Sequence, residues 1–242
     1  MANAQVYQAV VQPNVNPSKL ILTGMTPNLD HLVVGAGTLE QGVTYVKEQL
    51  GVAIPKGGEH PSMGTHNHLM QLGGNAFLEV IAINPDAPAP DRPRWYGLDD
   101  PFVRGRLERQ PQLLSWVINT SDLKGLQAQT SFSFGEATEV SRGDLSWHFG
   151  IPDDGRLLAS GMLPYLIQWH TNMHPAKRMD DVGCTLKQLE LHHPQPKWLL
   201  SILNEIDATK FVEVKKLDSD ATPFIEAHIE TPTGVKTLSS RS

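Results

Sequence analysis

The stretch that decides the fold is Asn28–Val46, NLDHLVVGAGTLEQGVTYV. It opens with a predicted short strand, Leu29–Val34, that is mostly apolar and β-branched near its end. Thr38 and Gln41 then stand three residues apart, which is the spacing of a capping box and predicts a helix that begins after Thr38. The apolar residues that follow recur at helical spacing on one face: Leu39, Val43, Val46 and Leu50.

The block downstream completes a unit of one helix and four strands. Val52–Ile54 is predicted as a short strand, and the segment His60–Ile83, HPSMGTHNHLMQLGGNAFLEVIAI, contains two more. His66–Leu72 and Ala76–Ile83 are apolar runs separated by a glycine-rich turn, which is typical of a hairpin. Residues 26–84 therefore form a predicted βαβββ module.

The same order of elements recurs along the chain. Residues 85–112 are a proline-containing linker with a partial helix, and residues 113–172 repeat the module with a short helix capped by Thr120 or Ser121. Residues 184–242 repeat it in reduced form, with an apolar helix face of Trp198, Ile202, Leu203 and Ile206. An internal repeat of this kind predicts an α+β fold in which βαβββ modules form a cupped, mostly antiparallel sheet with helices outside.

Composition limits the classes of function. The chain has 242 residues, 40% hydrophobic and 19% charged, with a formal net charge of −6. The absence of clustered Lys and Arg argues against nucleic acid, and no segment has 18 consecutive apolar residues, which argues against a membrane span. One cysteine, Cys184, and no signal-peptide pattern favour a cytoplasmic protein. Residues 1–25 are predicted to be a loose N-terminal arm, in which Ser18–Thr23 could add an edge strand and Met25 could be an alternative start.

Two side chains of the first module are candidates for chemistry. His31 shares a strand face with Leu29 and Val33, and Glu79 shares one with Phe77 and Ile81 because side chains alternate along a strand. A carboxylate among apolar residues is costly unless it pairs, takes up a proton or binds a metal. The residues alone leave two interpretations open: a functional pair, or an edge carboxylate and a hydrogen-bonded core histidine.

The quoted segments, together with LPYLIQW at Leu163–Trp169, resemble the glyoxalase-like members of the vicinal-oxygen-chelate superfamily. The resemblance covers roughly residues 26–172. In that superfamily the first and fourth strands of paired modules supply metal ligands. The resemblance therefore implies that His31 and Glu79 bind a divalent ion such as zinc, nickel, manganese or iron, with Glu79 also available as a catalytic base.

The second module departs from that pattern. Aligning the two modules puts Trp116 at the position of His31 and Gln168 at that of Glu79. Trp116 cannot bind a metal, whereas Gln168 can offer a weak, neutral carbonyl oxygen and is the predicted third ligand. Histidines that could substitute as ligands are His68, His148 and His170.

The favoured hypothesis is a metal-dependent lyase, isomerase or related enzyme acting on a small substrate with vicinal oxygens. The first alternative is a metal-free protein that binds a small molecule in the manner of bleomycin-resistance proteins, which Trp116 at a ligand position favours. The second is a ring-cleaving dioxygenase, which needs two histidines and one carboxylate around iron. A small molecule is the expected partner in each case, and a homodimer is left open.

Overall fold

The structure is a computed structural model that describes residues 26–171 and 173–241. The predicted arm at residues 1–25, with its edge strand, lies outside the described residues. The strands are β1 (Asn28–Gly35), β2 (Lys56–His60), β3 (Thr65–Gln71), β4 (Phe77–Ile83), β5 (Gln112–Asn119), β6 (Glu136–Arg142), β7 (Leu145–Ile151), β8 (Tyr165–Trp169), β9 (Thr185–His193), β10 (Glu213–Lys216), β11 (Phe224–Thr231) and β12 (Gly234–Ser239). The α-helices are α1 (Leu39–Leu50), α2 (Pro101–Arg109), α3 (Leu123–Gln127) and α4 (Pro196–Glu205).

Two modules join edge to edge in an eight-stranded sheet of order β2-β3-β4-β1-β5-β8-β7-β6. In each module the first strand pairs in parallel with the fourth, β1 with β4 and β5 with β8. The two first strands pair antiparallel with each other at the centre. This symmetric arrangement confirms the α+β class and the repeated βαβββ module.

The sheet curls until its two edges meet. Strands β2 and β6, which stand at the two ends of this sheet order, contact each other. Arg142 of β6 donates a hydrogen bond of 3.2 Å to the Asn67 side-chain oxygen on β3. The concave face is therefore closed over by polar as well as apolar side chains.

Local sequence explains where α1 begins and ends. The Thr38 hydroxyl accepts from the Gln41 backbone N–H at 3.3 Å, and the Gln41 side chain accepts from the Thr38 N–H at 3.2 Å, so the predicted capping box is confirmed. Gly51 ends the helix with φ of 73°, a left-handed conformation that glycine adopts without steric cost. Val46 and Leu50 are fully buried against the sheet.

Two predicted elements are corrected. Val52–Ile54 does not form the second strand, which is Lys56–His60 instead, because pairing with β3 selects the polar segment. The short helix α3 is capped by neither Thr120 nor Ser121: the Asp122 carboxylate accepts from the Gly125 N–H at 2.9 Å.

The C-terminal region has the predicted element order but builds a separate four-stranded sheet of order β10-β9-β11-β12. In the two modules the first strand lies beside the fourth, whereas here β9 lies between β10 and β11. The region therefore differs in strand order from a shortened module. Helix α4 buries Leu199, Ile202 and Leu203, but Trp198, which was predicted to share that buried face, is 39% exposed.

Among the described residues, no helix has the length and apolar character needed to cross a membrane.

Candidate active site

His31 and Glu79 meet on the concave face of the eight-stranded sheet. The His31 Nε2 atom lies 3.6 Å from Glu79 Oε2, and the two residues are 4% and 5% exposed. Parallel pairing of β1 with β4 places them close together, since Phe77, two residues before Glu79, is the direct partner of His31. The predicted proximity of these two side chains is thus present in the structure.

An irregularity in β1 adds Asp30 to this site. The register against β5 shifts between Leu29 and His31, so that Leu29 pairs with Ile118 and His31 with the next residue back, Val117. Such a bulge re-aims a side chain that strict alternation would send to the other face. As a result Asp30 Oδ1 lies 2.6 Å from His31 Nδ1.

The Asp30 carboxylate is fully buried and receives four hydrogen bonds. Its Oδ1 atom accepts from His31. Its Oδ2 atom accepts from the other three donors: Asn119 Nδ2 at 2.9 Å, Trp169 Nε1 at 2.8 Å and His174 Nε2 at 2.8 Å. Burial raises the pKa of Asp30. The hydrogen bonds that His174 and His31 donate, together with their electrostatic attraction, outweigh burial and hold this pKa well below its ordinary value. Asp30 is therefore an ionised acceptor at neutral pH.

This acceptor sets the orientation of the His31 ring. Because Asp30 accepts at Nδ1, that nitrogen carries a proton, and the Nε2 atom points into the cavity. The ring is stacked on Phe77, with centroids 4.5 Å apart. The Tyr96 hydroxyl lies 3.4 Å from Nε2 and is the nearest donor to it.

Glu79 is held by a separate network. Its Oε1 atom accepts from Asn67 Nδ2 at 2.7 Å, and the Asn67 side-chain oxygen accepts in turn from the Gly58 N–H at 2.9 Å and from Arg142. Those two donors fix which way the Asn67 amide points. Glu79 Oε2 is left facing His31 across the cavity.

Aromatic side chains form the rest of the cavity wall: Phe77, Trp95, Tyr96, Trp147, Phe149 and Trp169. The free volume is about 40 Å³, which is room for a few water molecules or a small ligand group. His60 also lines this cavity, and on its other side lies a larger one of about 690 Å³, beside the start of α1. We assign the chemistry to the smaller cavity, because the larger one is lined by neither His31 nor Glu79.

Two further residues of this cavity have perturbed pKa values. Burial, reinforced by the positive charge of Arg142, lowers the pKa of His60 to about 3, so its ring is neutral at physiological pH. Burial, followed by the negative charge of Glu79, raises the pKa of Tyr96 well above its ordinary value, so its hydroxyl stays a donor. Tyr96 also has φ of 58°, a strained conformation for a non-glycine residue that costs about 1–3 kcal/mol and is common at functional sites.

The predicted partners in the second module are wrong by one residue. Across the sheet, His31 on β1 is the direct partner of Val117 on β5, not of Trp116. Val117 in turn pairs with Tyr165 on β8, and Ile167 follows Tyr165 by two residues, just as Glu79 follows Phe77, the partner of His31. Val117 and Ile167 are therefore the positions that correspond to His31 and Glu79. A shift of one residue in a strand moves a side chain to the opposite face.

Trp116 and Gln168 accordingly lie on the convex face. Trp116 is buried and donates through Nε1 to the Met162 carbonyl at 3.2 Å. The Gln168 side-chain oxygen accepts from the Leu123 N–H at 2.8 Å, at the start of α3. Gln168 is thus a helix-capping residue rather than a ligand in the cavity, and its predicted place there is wrong.

The substitute histidines are also placed elsewhere. His68 Nδ1 lies 2.9 Å from the Ile54 carbonyl, and His148 and His170 contact each other at 2.7 Å in an exposed pair. The predicted alternatives for a third ligand are therefore not brought to His31 and Glu79.

The His31 and Glu79 side chains have the chemistry and the separation of two ligands of a divalent ion. An imidazole nitrogen and a carboxylate oxygen 3.6 Å apart approach the roughly 3.4 Å that separates two ligands on a tetrahedral ion with bonds of about 2.1 Å. A carboxylate on the other ring nitrogen, as Asp30 provides, is the usual support of a metal-binding histidine. Among the described residues, however, no third His, Cys, Asp or Glu ligand joins the pair within 4.8 Å. The pair fits an ion as two of its ligands, with the remaining positions left to water or substrate.

Sequence reasoning missed Asp30, Tyr96 and His60. The adjacent Asp30-His31 dipeptide was visible, but alternation puts its side chains on opposite faces and only the bulge unites them. His60 is the last residue of the short polar strand β2 and precedes Pro61, so its register was not readable from the pattern. Tyr96 lies in the linker, where nothing in the sequence indicates contact with β1.

The chain is similar to known proteins over most of its length. A family model described as a glyoxalase-like domain matches residues 29–206, and no curated protein matches the chain. A solved hypothetical protein from Staphylococcus aureus has a TM-score of 0.54 at 12% identity, over 89% of this chain and 85% of that one, and so shares the fold. Methylmalonyl-CoA epimerase from Mycobacterium tuberculosis (TM-score 0.36, 17% identity, 58% of this chain and 85% of that one) and a mutant 4-hydroxymandelate synthase from Streptomyces coelicolor (0.44, 13%, 88% and 63%) are more distant. Because the family model spans well over half of the chain, and its elements form the paired modules described above, the protein belongs to the glyoxalase-like domain family of the vicinal-oxygen-chelate superfamily.

Proposed function

We propose that the chain is an enzyme that carries out proton transfer on a small substrate with neighbouring oxygen atoms, with His31 and Glu79 holding a divalent metal ion. The observation that carries the proposal is the fully buried Asp30 carboxylate, whose four donors leave His31 Nε2 aimed at Glu79. Holding a histidine in one tautomer against an adjacent carboxylate is a recurring feature of catalytic and metal-binding sites.

Each group has a role that follows from its surroundings. His31 Nε2 and Glu79 Oε2 provide the two ligand atoms, and Asn67 keeps Glu79 from rotating away. If a substrate oxygen displaced Glu79 from the ion, its Oε2 atom, which faces the cavity, would be free to act as the base. The Tyr96 hydroxyl, kept protonated by burial, donates a hydrogen bond to a substrate oxygen.

A bound divalent ion would supply electrostatic stabilisation of the negative charge that develops on the two substrate oxygens. The apolar Val117 and Ile167 at the matching positions of the second module leave coordination sites for those oxygens. The free volume of about 40 Å³ favours a small reacting group over a bulky one.

A metal-free binding protein is the second candidate, and one observation favours it. Six aromatic rings surround the cavity, and such rings stack on an organic ligand without any ion. A ring-cleaving dioxygenase is disfavoured, because among residues 26–171 and 173–241 no second histidine joins His31 and Glu79 at metal-binding distance.

The test is metal analysis of the full chain purified without added metal, followed by titration of the chelator-treated protein. The Glu79→Gln variant keeps the shape of the side chain and removes its charge. We expect it to lose one bound ion per chain relative to wild type, with an unchanged circular dichroism spectrum. Glu48→Gln, the same change at an exposed position on α1, is the control and should bind as wild type does.

If wild type binds no ion that Glu79→Gln removes, the metal-dependent proposal is wrong. The metal-free binding protein would then be tested by quenching of tryptophan fluorescence with aromatic ligands, because Trp95, Trp147 and Trp169 line the cavity.

A further inference from the structure

The C-terminal sheet has one apolar and one polar face. Leu189, Leu191, Ile225 and Ala227 are buried on the first. The second carries Glu190 and His192 on β9, and Glu226 and His228 on β11, each pair two residues apart and so on one side of its strand. The strands are antiparallel neighbours in which Glu226 is the direct partner of Glu190.

We propose that Glu190, His192 and Glu226, with His228 as a fourth ligand, form a zinc-type metal site that is separate from His31 and Glu79. One ligand atom from each of the first three residues lies within 4.8 Å of the others. His192 Nε2 is 3.0 Å from Glu190 Oε2 and 3.7 Å from Glu226 Oε2. These values bracket the roughly 3.4 Å between two ligands of a tetrahedral zinc ion.

His228 lies two residues after Glu226 on the same side of β11, but it is not within 4.8 Å of all three ligands and would have to move to join them. Its Nε2 atom is 3.9 Å from Glu190 Oε1, and its Nδ1 is bonded to the Thr237 hydroxyl at 2.9 Å. The hydrogen bond at Nδ1 leaves Nε2 free to bind an ion, in the way that supporting groups orient metal-binding histidines. Two imidazoles and two carboxylates are a donor set that suits zinc and related ions.

The ligands are ordered before any ion binds. The His192 ring is stacked on Phe224 with centroids 4.1 Å apart and an angle of 10° between the rings. Gln188 donates to Glu190 Oε1 at 2.9 Å, which turns the other carboxylate oxygen towards His192. The Glu190 and His192 side chains are only 14% and 16% exposed, so the group differs from a solvated cluster of surface acids.

One neighbouring cation competes for this position. Lys215 Nζ lies 3.9 Å from Glu190 Oε1 and is also paired with Glu213, whose carboxylate can retain it. A divalent ion at the site would replace the weaker of these two contacts. Removing the lysine should therefore strengthen metal binding, although no ligand is changed.

The experiment titrates the chelator-treated full chain with zinc chloride by calorimetry in a His31→Gln/Glu79→Gln background, which removes the first site. We expect one zinc ion per chain, bound roughly tenfold or more weakly when either His192 or Glu226 is replaced by Gln. Lys215→Met should bind more tightly than the background. Glu230→Gln, which changes a carboxylate on β11 that is paired with Lys187, should have no effect.

The proposal is overturned if the background takes up no zinc, or if His192→Gln and Glu226→Gln leave its affinity unchanged. Because Lys215→Met retains every ligand, a decrease or no change in its affinity would also contradict the proposal, even if a ligand variant failed to fold. The background lacks His31 and Glu79, so failure here is distinct from failure of the proposed active site.

Discussion

Replacing Asp30 with Asn tests whether this carboxylate organises the site. The Asn side chain has almost the same shape, but its single carbonyl oxygen accepts about two hydrogen bonds, whereas four donors now converge on the carboxylate. At least two buried donors lose their acceptor, at about 1–3 kcal/mol each. Breaking a buried charged pair by altering one partner costs about 3–5 kcal/mol, and the two figures agree. We expect Asp30→Asn to lower the free energy of unfolding by about 3–5 kcal/mol.

The assay is urea unfolding at neutral pH, followed by circular dichroism. Asp144→Asn is the control, since that carboxylate pairs with Arg178 on the surface and is 76% exposed, so little change is expected. A loss below about 1 kcal/mol for Asp30→Asn would refute the reasoning, since it would mean that the four contacts are weak or that water replaces them.

The same variant gives a pH signature whose sign follows from the lowered pKa of Asp30. The stabilisation is complete above the pKa of an unfolded Asp, about 3.9, and is lost as the pH falls from there towards the lower folded-state value. The stability difference between wild type and Asp30→Asn should therefore be constant above about pH 5 and shrink below pH 4. A difference that grew on acidification would contradict the assignment.

Three further outcomes are expected. Gln168→Ala should destabilise the protein by about 1 kcal/mol through loss of the cap on α3, measured by thermal unfolding, and leave metal binding unchanged; an altered metal content would return Gln168 to the site. Because the pKa of His60 in the folded protein is about 3, its imidazole should give the NMR signal of the neutral ring from pH 8 down to about 4. Its contribution to stability should fall as the pH drops below about 6.5, because the unfolded state takes up the proton first. Gly57→Ala should weaken ligand or metal binding, because its Cβ would lie 2.2 Å from the side-chain oxygen of Asn67. Gly58→Ala is the control and should weaken binding less, because its Cβ would meet only the flexible Arg142 side chain, at 3.2 Å. Equal effects of the two changes would show that Asn67 does not support the site.

Much of the fold was predictable because its signals are local. The capping box of Thr38 and Gln41, the apolar stripe of α1 and the alternation in β1 and β4 each depend on residues close in sequence. Alternation holds around Glu79, where the register of β4 against β3 is regular, whereas the bulge at Asp30 puts His31 on the face opposite to that of Leu29, with which it was predicted to share a face. The family resemblance of the first module has the same local origin.

What only the tertiary structure decided depends on partners far apart in the chain. Asp30 meets Asn119, Trp169 and His174 at separations of 89, 139 and 144 residues, and no local pattern reports such contacts. The bulge beside Asp30 exists because β5 pairs with β1, and it is this pairing that decides which face the side chain occupies.

The second module shows the same limit at the level of register. Spacing alone selected Trp116 and Gln168, one residue from Val117 and Ile167, and in a strand one residue is the difference between the two faces of the sheet. The order of the C-terminal strands was likewise unreadable, because strand, helix and hairpin signals are local whereas the choice of neighbouring strand is made by packing across the whole domain. The sequence alone thus specified most elements of the first module and the alternation within β4; long-range pairing specified the register of β1 and which side chains the sheet brings together.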